Sequence, residues 1–394
     1  MTSIDLSSLA PEDDPRRLEV RAWLAAHPNP TLRQVAEAGY AAPHFPAPYG
    51  LDADGVHQLI IDDELRRANA GRQASTATVG FGIAAATILY AGTEAQRAKH
   101  ILAILAGEEI WCQLFSEPGA GSDLSGLATR AVKDGDTWVI DGQKVWTSFG
   151  HQAQYGILLA RTDPDAPKQQ GISYFICPMD LPGIDIRPLV DMTGVHHFNE
   201  VFLDNVRLPA DALLGEENQG WHLAKVSLGN ERISLSRDGM AWGRGPTPMD
   251  LVDLVREQGG VEDPVMRQRL ADLYIRSFAN RLLQQKVFTA KLHGQPAGAA
   301  ASVSKALGDD IGQVGLNLAK DLAGAHGMLT DVGPLGAAVR KWHFMYLFSQ
   351  ALTIGGGTSE VQRNIIAERE LGMPRDIDVE ADKTWAQSRN LAEA

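Results

Sequence analysis

The chain has 394 residues, 44% of them apolar and 22% charged, the make-up of a folded globular protein rather than a disordered one. Its formal net charge of −13, from 36 Lys and Arg against 49 Asp and Glu, disfavours nucleic acid and anionic membranes as partners. Two well-separated cysteines, Cys112 and Cys177, read as reduced core thiols, and the acidic start MTSIDLSSLAPEDDPRR carries no secretory signal, so a soluble cytoplasmic protein is expected.

Residues 1–110 predict a helical domain. PEDDPRRLEVRAWLAAH and TLRQVAEAG carry acidic or Thr start signals and apolar residues near helical spacing, and GVHQLIIDDELRRANAG, TATVGFGIAAATILYAG and TEAQRAKHILAILAGEE continue the pattern. The apolar run VGFGIAAATILYAG is too short to span a bilayer. From 111 to 219 short β-prone runs alternate with Gly, Asp, Asn and Pro, and Asp134–Gly135 between two of them signals a hairpin. A small barrel or sandwich is expected there. From 220 to 394 the pattern returns to long amphipathic helices, with GPTPMD and GGVED as the expected loops. Helices, strands and helices in blocks predict an α+β multi-domain protein rather than alternating β-α units.

Several motifs compete for the chemistry. GFGIAA at 80–85 has the outline of a dinucleotide turn, but ANAGRQASTAT before it is no buried strand, so a Rossmann site is rejected. His196 and His197 are adjacent and point to opposite faces of a strand, no HExxH occurs, and no metal site is expected. FSEPGAGSD at 115–123 instead makes a tight turn whose N–H groups could converge on an anion. GQKVWTS then brings Trp146, Thr147 and Ser148, an aromatic face beside two hydroxyls, on the next strands. TIGGGTSEVQRN at 353–364 sets three glycines ahead of a helix whose N-cap is Thr358 or Ser359.

In this order, CQLFSEPGAGSDLSGLATRAVKDGDTWVIDGQKVWTS, NEVFLDNVRLPADALLGEENQGW, LAGAHGM and TIGGGTSEVQRNIIAERELGMPR give a chain that resembles the acyl-CoA dehydrogenase family over nearly its whole length. The resemblance implies an N-terminal α-helical domain, a middle β-barrel and a C-terminal four-helix-bundle domain, with FAD as cofactor. It implies that Phe115, Ser116 and Ser122 lie along the flavin and its phosphates, and that Trp146, Thr147 and Ser148 contact the isoalloxazine. Gly324 of LAGAHGM, Thr358 and Glu360 complete the cofactor set; Ser122, Arg232, Gly356 and Gly357 are assigned to substrate. The activity implied is α,β-dehydrogenation of an acyl-CoA, with electrons passed to an electron-transfer flavoprotein by an oligomeric enzyme.

Many relatives carry the catalytic carboxylate in the loop, at the position matched here by Gly356. A second group, including isovaleryl- and long-chain-type enzymes, carries it on a helix followed by arginine. SLGNERISL matches that pattern, so Glu231 is the expected base and Arg232 its neighbour at the substrate end. Two features depart from the family. The R-x-x-F-G segment that reaches a neighbouring subunit's FAD is missing, leaving Arg244 or Arg256 as substitutes, and Asp321 stands where relatives have a neutral glutamine near the pyrophosphate. These departures keep open a heteromer with a related subunit and shared FAD sites, or an interaction subunit that has lost flavin. A flavin oxidase or monooxygenase on the same scaffold is the third alternative.

Overall fold

Asp14, Thr31, Asp54 and Thr93 each stand one residue ahead of a helix and accept a hydrogen bond from its first turn. The caps satisfy N–H groups that have no partner inside the helix, and they fix where each helix starts. The helices are α1 (Pro15–Ala26), α2 (Leu32–Glu37), α3 (Gly55–Arg67), α4 (Ala85–Ala91) and α5 (Glu94–Leu105). Thr31 and Thr93 form full capping boxes, with Gln34 and Gln96 returning the bond. Arg17 of α1 is buried and pairs with Asp63, at 2.7 Å, and Glu64 of α3, so the first and third helices are joined by charge as well as by Val20, Ile61 and Leu65.

GFGIAA is helical: Gly80–Ala84 is a wide π turn that runs directly into α4. A side chain at Gly80 would lie 3.3 Å from Ile104 of α5, so this glycine lets two segments pack closely and has no phosphate-turn geometry.

A computed structural model of the chain describes residues 11–70, 79–235, 240, 246–257, 261–292, 300–329 and 333–390. They fall into two compact units, one of Met1–Leu189, His197–Ser227 and Glu380–Ala394, the other of Val190–His196 and Leu228–Val379.

The strands are β1 (Trp111–Leu114), β2 (Arg130–Asp134), β3 (Thr137–Lys144), β4 (Tyr155–Arg161), β5 (Ile172–Pro178), β6 (Ile184–Val190) and β7 (His196–Pro209). They join in one curled sheet of order β1-β4-β2-β3-β7-β6, with β5 also paired to β4. The β2–β3 hairpin turns at Asp134–Gly135, where Gly135 has φ +60°, as the sequence predicts. YGILLAR and ISYFICP are buried almost throughout, as strands covered on both faces must be. In β3, Trp138 and Ile140 alternate inward to meet Phe175, Leu203 and Val206 in the core.

The remaining helices are α6 (Gly220–Leu235), α7 (Pro248–Glu257), α8 (Pro264–Leu292), α9 (Ala300–Ala323), α10 (Gly333–Phe348), α11 (Ser359–Arg369) and α12 (Trp385–Asn390). The expected loop GPTPMD is partly helix: Thr247 and Asp250 exchange hydrogen bonds as a cap, and Pro248, with no N–H to leave unpaired, opens α7. Leu273 of α8, Ile311, Leu316 and Leu318 of α9 and Trp342 of α10 form the core of the helical unit. Gly312 of α9 packs so closely on Met240 that a β-carbon there would lie 2.2 Å from the Met240 carbonyl oxygen. Among the described residues, no helix is long and apolar enough to cross a membrane.

Candidate active site

In the first unit, the two motifs that sequence treats separately are brought side by side. The Val145 N–H donates to the Ser116 carbonyl at 2.9 Å, and Lys144 Nζ donates to the Phe115 carbonyl at 3.0 Å. Glu117 and Ala120 exchange backbone bonds at 2.9 and 3.0 Å and close the turn. Lys144 is fully buried and pairs with the Glu117 carboxylate at 2.8 Å. Glu117 also accepts the Ala128 and Thr129 N–H groups at 2.7 and 2.9 Å. Burial by itself raises the Glu117 pKa, but Lys144 and these donors outweigh it and hold the carboxyl below its ordinary value. Burial likewise pulls the Lys144 ammonium down, against the opposing pull of Glu117. The donors converging on the carboxylate support the ionised pair.

Trp146, Thr147 and Ser148 lie just beyond β3 in a bend and turn rather than on a strand. The reason is local: Trp146 has φ +61° and Phe149 φ +54°, left-handed values that end the pleat. Two non-glycine residues in this region within four positions cost roughly 1–2 kcal/mol each, and such strain persists where the surroundings impose it. Asn199 of β7 supplies much of that constraint. Its N–H donates to the Thr147 carbonyl at 3.0 Å, its Nδ2 donates there at 2.9 Å, and the Thr147 N–H returns a bond to the Asn199 carbonyl at 3.1 Å. The result is an indole 57% exposed beside a buried Thr147 whose Oγ1 meets no hydrogen-bond partner among the described residues. Ser122 is exposed and Ser116 half-buried, while Phe115 is buried edge-on against Tyr174.

In the second unit, Thr358 caps α11 by accepting the Val361 N–H. Gly356 and Gly357 have φ +68° and +93°, a conformation that side chains rarely adopt. Their carbonyls turn inward: Gln362 Nε2 donates to Gly356 O at 3.0 Å, and Lys305 Nζ to Gly357 O at 2.8 Å. A cavity of about 400 Å³ beside the loop is lined by Asp310, Gln313, Thr353, Thr358, Glu360 and Arg363, among others. Glu360 is exposed, and its carboxyl is lowered by its own backbone N–H and by Thr358. Gly324 begins a 3-10 turn, Gly324–Met328, at φ +53°.

Glu231 and Arg232 are positions on α6 whose side chains lie outside the described residues, as does Arg244. Arg256 is exposed on α7 and pairs with Asp253 at 3.1 Å. Asp321 meets Arg269 of α8 at 2.7 Å, so the carboxylate that the family resemblance sets near the pyrophosphate has a cation as neighbour. Among the described residues there is no cluster of ligands for a metal ion.

Sequence reasoning passed over Glu117, Lys144, Asn199, Lys305 and Gln362. A signal was present for two of them: an acidic and a basic residue, inside SEPGAGSD and GQKVW, at positions where short glycine-rich and apolar stretches leave little solvent.

The described residues thus build a helical domain, a curled sheet with a glycine turn beside a strained Trp-Thr-Ser bend, and a helical bundle with a bare glycine loop. Family profiles agree: acyl-CoA dehydrogenase N-terminal, middle and C-terminal domains match residues 10–108, 112–206 and 218–371. The chain belongs to the acyl-CoA dehydrogenase family, whose members are FAD flavoproteins. It is 43% identical to the Mycobacterium tuberculosis acyl-CoA dehydrogenase FadE34 over 90% of its own length, and spans 48% of that longer protein. It is 37% identical to M. tuberculosis IpdE1, with 91% of this chain and 89% of that one covered. Among solved structures it is similar to the Tcur3481-Tcur3483 steroid ACAD, at TM-score 0.74, 32% identity and coverage of 94% and 98%. The ChsE4-ChsE5 complex of M. tuberculosis matches at TM-score 0.73 and 30% identity, with 93% and 99% covered.

Proposed function

We propose that this enzyme converts an acyl-CoA thioester to the trans-2-enoyl-CoA, with Glu231 as the base that removes the α-proton. The observation that carries the reading is the bare loop. Gly356 and Gly357 offer backbone N–H groups and no carboxylate, so the base must come from elsewhere, and Glu231-Arg232 on α6 is the pair that the family places there. Desolvation by a bound acyl chain would raise the carboxyl pKa toward working pH, as a base in this role requires. The Gly356 N–H would receive the charge that develops on the thioester oxygen. Arg232, Gly357 and Ser122 would border the substrate.

FAD fits the chemistry of these residues. The exposed Trp146 ring, the buried Thr147 hydroxyl, which has no partner among the described residues, and the glycine turn at 118–122 suit a flavin and its phosphates. Phe115, Ser116, Ser122, Trp146, Thr147, Ser148, Gly324, Thr358 and Glu360 would hold it. When bound, it supplies the acceptor for the β-hydride, and an electron-transfer flavoprotein takes the electrons onward.

The relatives that are steroid ACADs support a bulky, fused-ring acyl group. The complexes of two different chains among the relatives support a heteromer with shared FAD sites, an arrangement favoured here by the missing R-x-x-F-G segment. The test is anaerobic flavin bleaching by a panel of short, branched and steroid-side-chain acyl-CoA esters. Glu231→Gln should keep its yellow colour and lose bleaching by at least about a thousandfold; a variant that bleaches at the native rate removes Glu231 as the base.

A further inference from the structure

The triple-glycine loop is held from behind by side chains that no part of the reaction described above employs. Lys305 of α9 is 2% exposed, yet its ammonium has three oxygen neighbours: the Asp309 carboxylate at 2.6 Å, the Leu352 carbonyl at 3.1 Å and the Gly357 carbonyl at 2.8 Å. Two of the three N–H donors of the ammonium are thus directed to backbone carbonyls, and the Asp309 carboxylate beside them balances its charge. Gln362 of α11 is fully buried and spans Gly356 O and Gly357 O with its Nε2, at 3.0 and 3.4 Å. A side chain at Gly357 would collide with that amide, its β-carbon only 2.6 Å from Nε2.

A buried charge of this kind is a poor way to gain stability, because well-packed apolar residues would serve as well or better. Its geometry suits a different task. In a planar trans peptide the carbonyl and the following N–H point in opposite directions. Fixing Gly356 O and Gly357 O on Gln362 and Lys305 therefore fixes the two peptide planes that flank Gly357, and with them φ and ψ at Gly357. Without the clamp, glycines would lose these directions first, since they have the widest conformational freedom.

We propose that Lys305 and Gln362 are positioning residues: by locking the two peptides that flank Gly357 they anchor the loop on the C-terminal side of Gly356, whose N–H is the donor assigned above to the thioester oxygen. The proposal rests on the reading above that this loop borders the thioester. Gly357 is glycine for a second reason under this view, since it must leave room for the Gln362 amide as well as adopt positive φ.

The experiment uses the flavin-loaded enzyme and two variants, Lys305→Gln and Gln362→Met. Each should lower kcat by about 10–100-fold, less than the loss of a whole oxyanion donor, with KM changed less than about threefold. The second readout is a 3-thia-acyl-CoA, which can lose its α-proton but has no β-hydrogen to give. The long-wavelength absorption band it raises with the native flavoprotein should weaken in both variants at saturating ligand. If Lys305→Gln fails to retain flavin, Gln362→Met carries the test. A native band and native kcat in flavin-bound Gln362→Met overturn the proposal, as does a fall in kcat that follows only the fraction of enzyme lacking flavin. Failure of the Glu231 assignment is distinguishable: an active Glu231→Gln enzyme would sink that assignment while leaving the KM-against-kcat split of the loop variants to be read.

Discussion

Glu117 and Lys144 join two segments of the sheet domain through one buried ion pair. The carboxylate closes the turn after Phe115, and the ammonium ties that turn to the end of β3. Leaving a buried partner unpaired costs roughly 3–5 kcal/mol, so Glu117→Gln should unfold at markedly lower denaturant at neutral pH. The acid response follows from the depressed Glu117 pKa. Its contribution is complete above the ordinary value of 4.5 and is lost as pH falls through the lower folded value. Denaturant midpoints measured from pH 7 to pH 3 should fall in the native enzyme and show a shallower slope in Glu117→Gln; parallel slopes would refute this role.

At the scale of elements, α6 depends on how its first residue meets the sheet. Gly220 opens the helix directly over β5, and a β-carbon there would lie 2.5 Å from the Ser173 carbonyl carbon and 2.8 Å from its Cα. The obstacle is main chain, which cannot swing aside. The same junction is stitched by Asn218, whose N–H donates to Ser173 Oγ at 2.8 Å. Further along, Ser227 of α6 meets Thr87 of α4 at 2.9 Å and Tyr174 of β5 at 3.0 Å in a buried hydroxyl cluster. Gly220→Ala should therefore destabilise the enzyme by about 1–3 kcal/mol, the usual cost of overpacking, read as a lower thermal midpoint with flavin bound. An unchanged midpoint would show that the junction yields more easily than its geometry implies.

For the whole molecule, the surface of α8 matters most. Tyr274, Ile275, Phe278 and Leu282 are 41–64% exposed, and Tyr274 stacks on Phe278 one turn away. An exposed apolar row of this kind at helical spacing is the place where we expect another chain to pack. The purified enzyme should have a mass in light scattering of at least twice 42.6 kDa, alone or with a related chain. Ile275→Glu combined with Phe278→Glu should shift it to a smaller species. An unchanged mass would place the association surface elsewhere.

Much of this was legible in the order of residues because the relevant physics is local. Thr93 and Thr358 act as caps on helices that follow at once, Asp134–Gly135 turns a hairpin between neighbouring strands, and blocks of period near 3.6 or 2 separate helix from sheet. The two glycine motifs and the Trp-Thr-Ser run were visible for the same reason, and their order carried the family resemblance. What holds these motifs in place was hidden. Glu117 finds Lys144 27 positions away, Asn199 reaches Thr147 across 52, and Lys305 reaches Gly357 across another 52. No local preference encodes such pairings, because each exists only once distant segments have packed and removed the water that would otherwise satisfy those groups. Thus the chain sequence specifies that residues 355–357 bear no side chains, while the folded environment specifies which way their carbonyls face. A bare backbone takes its direction from whatever polar groups are buried against it.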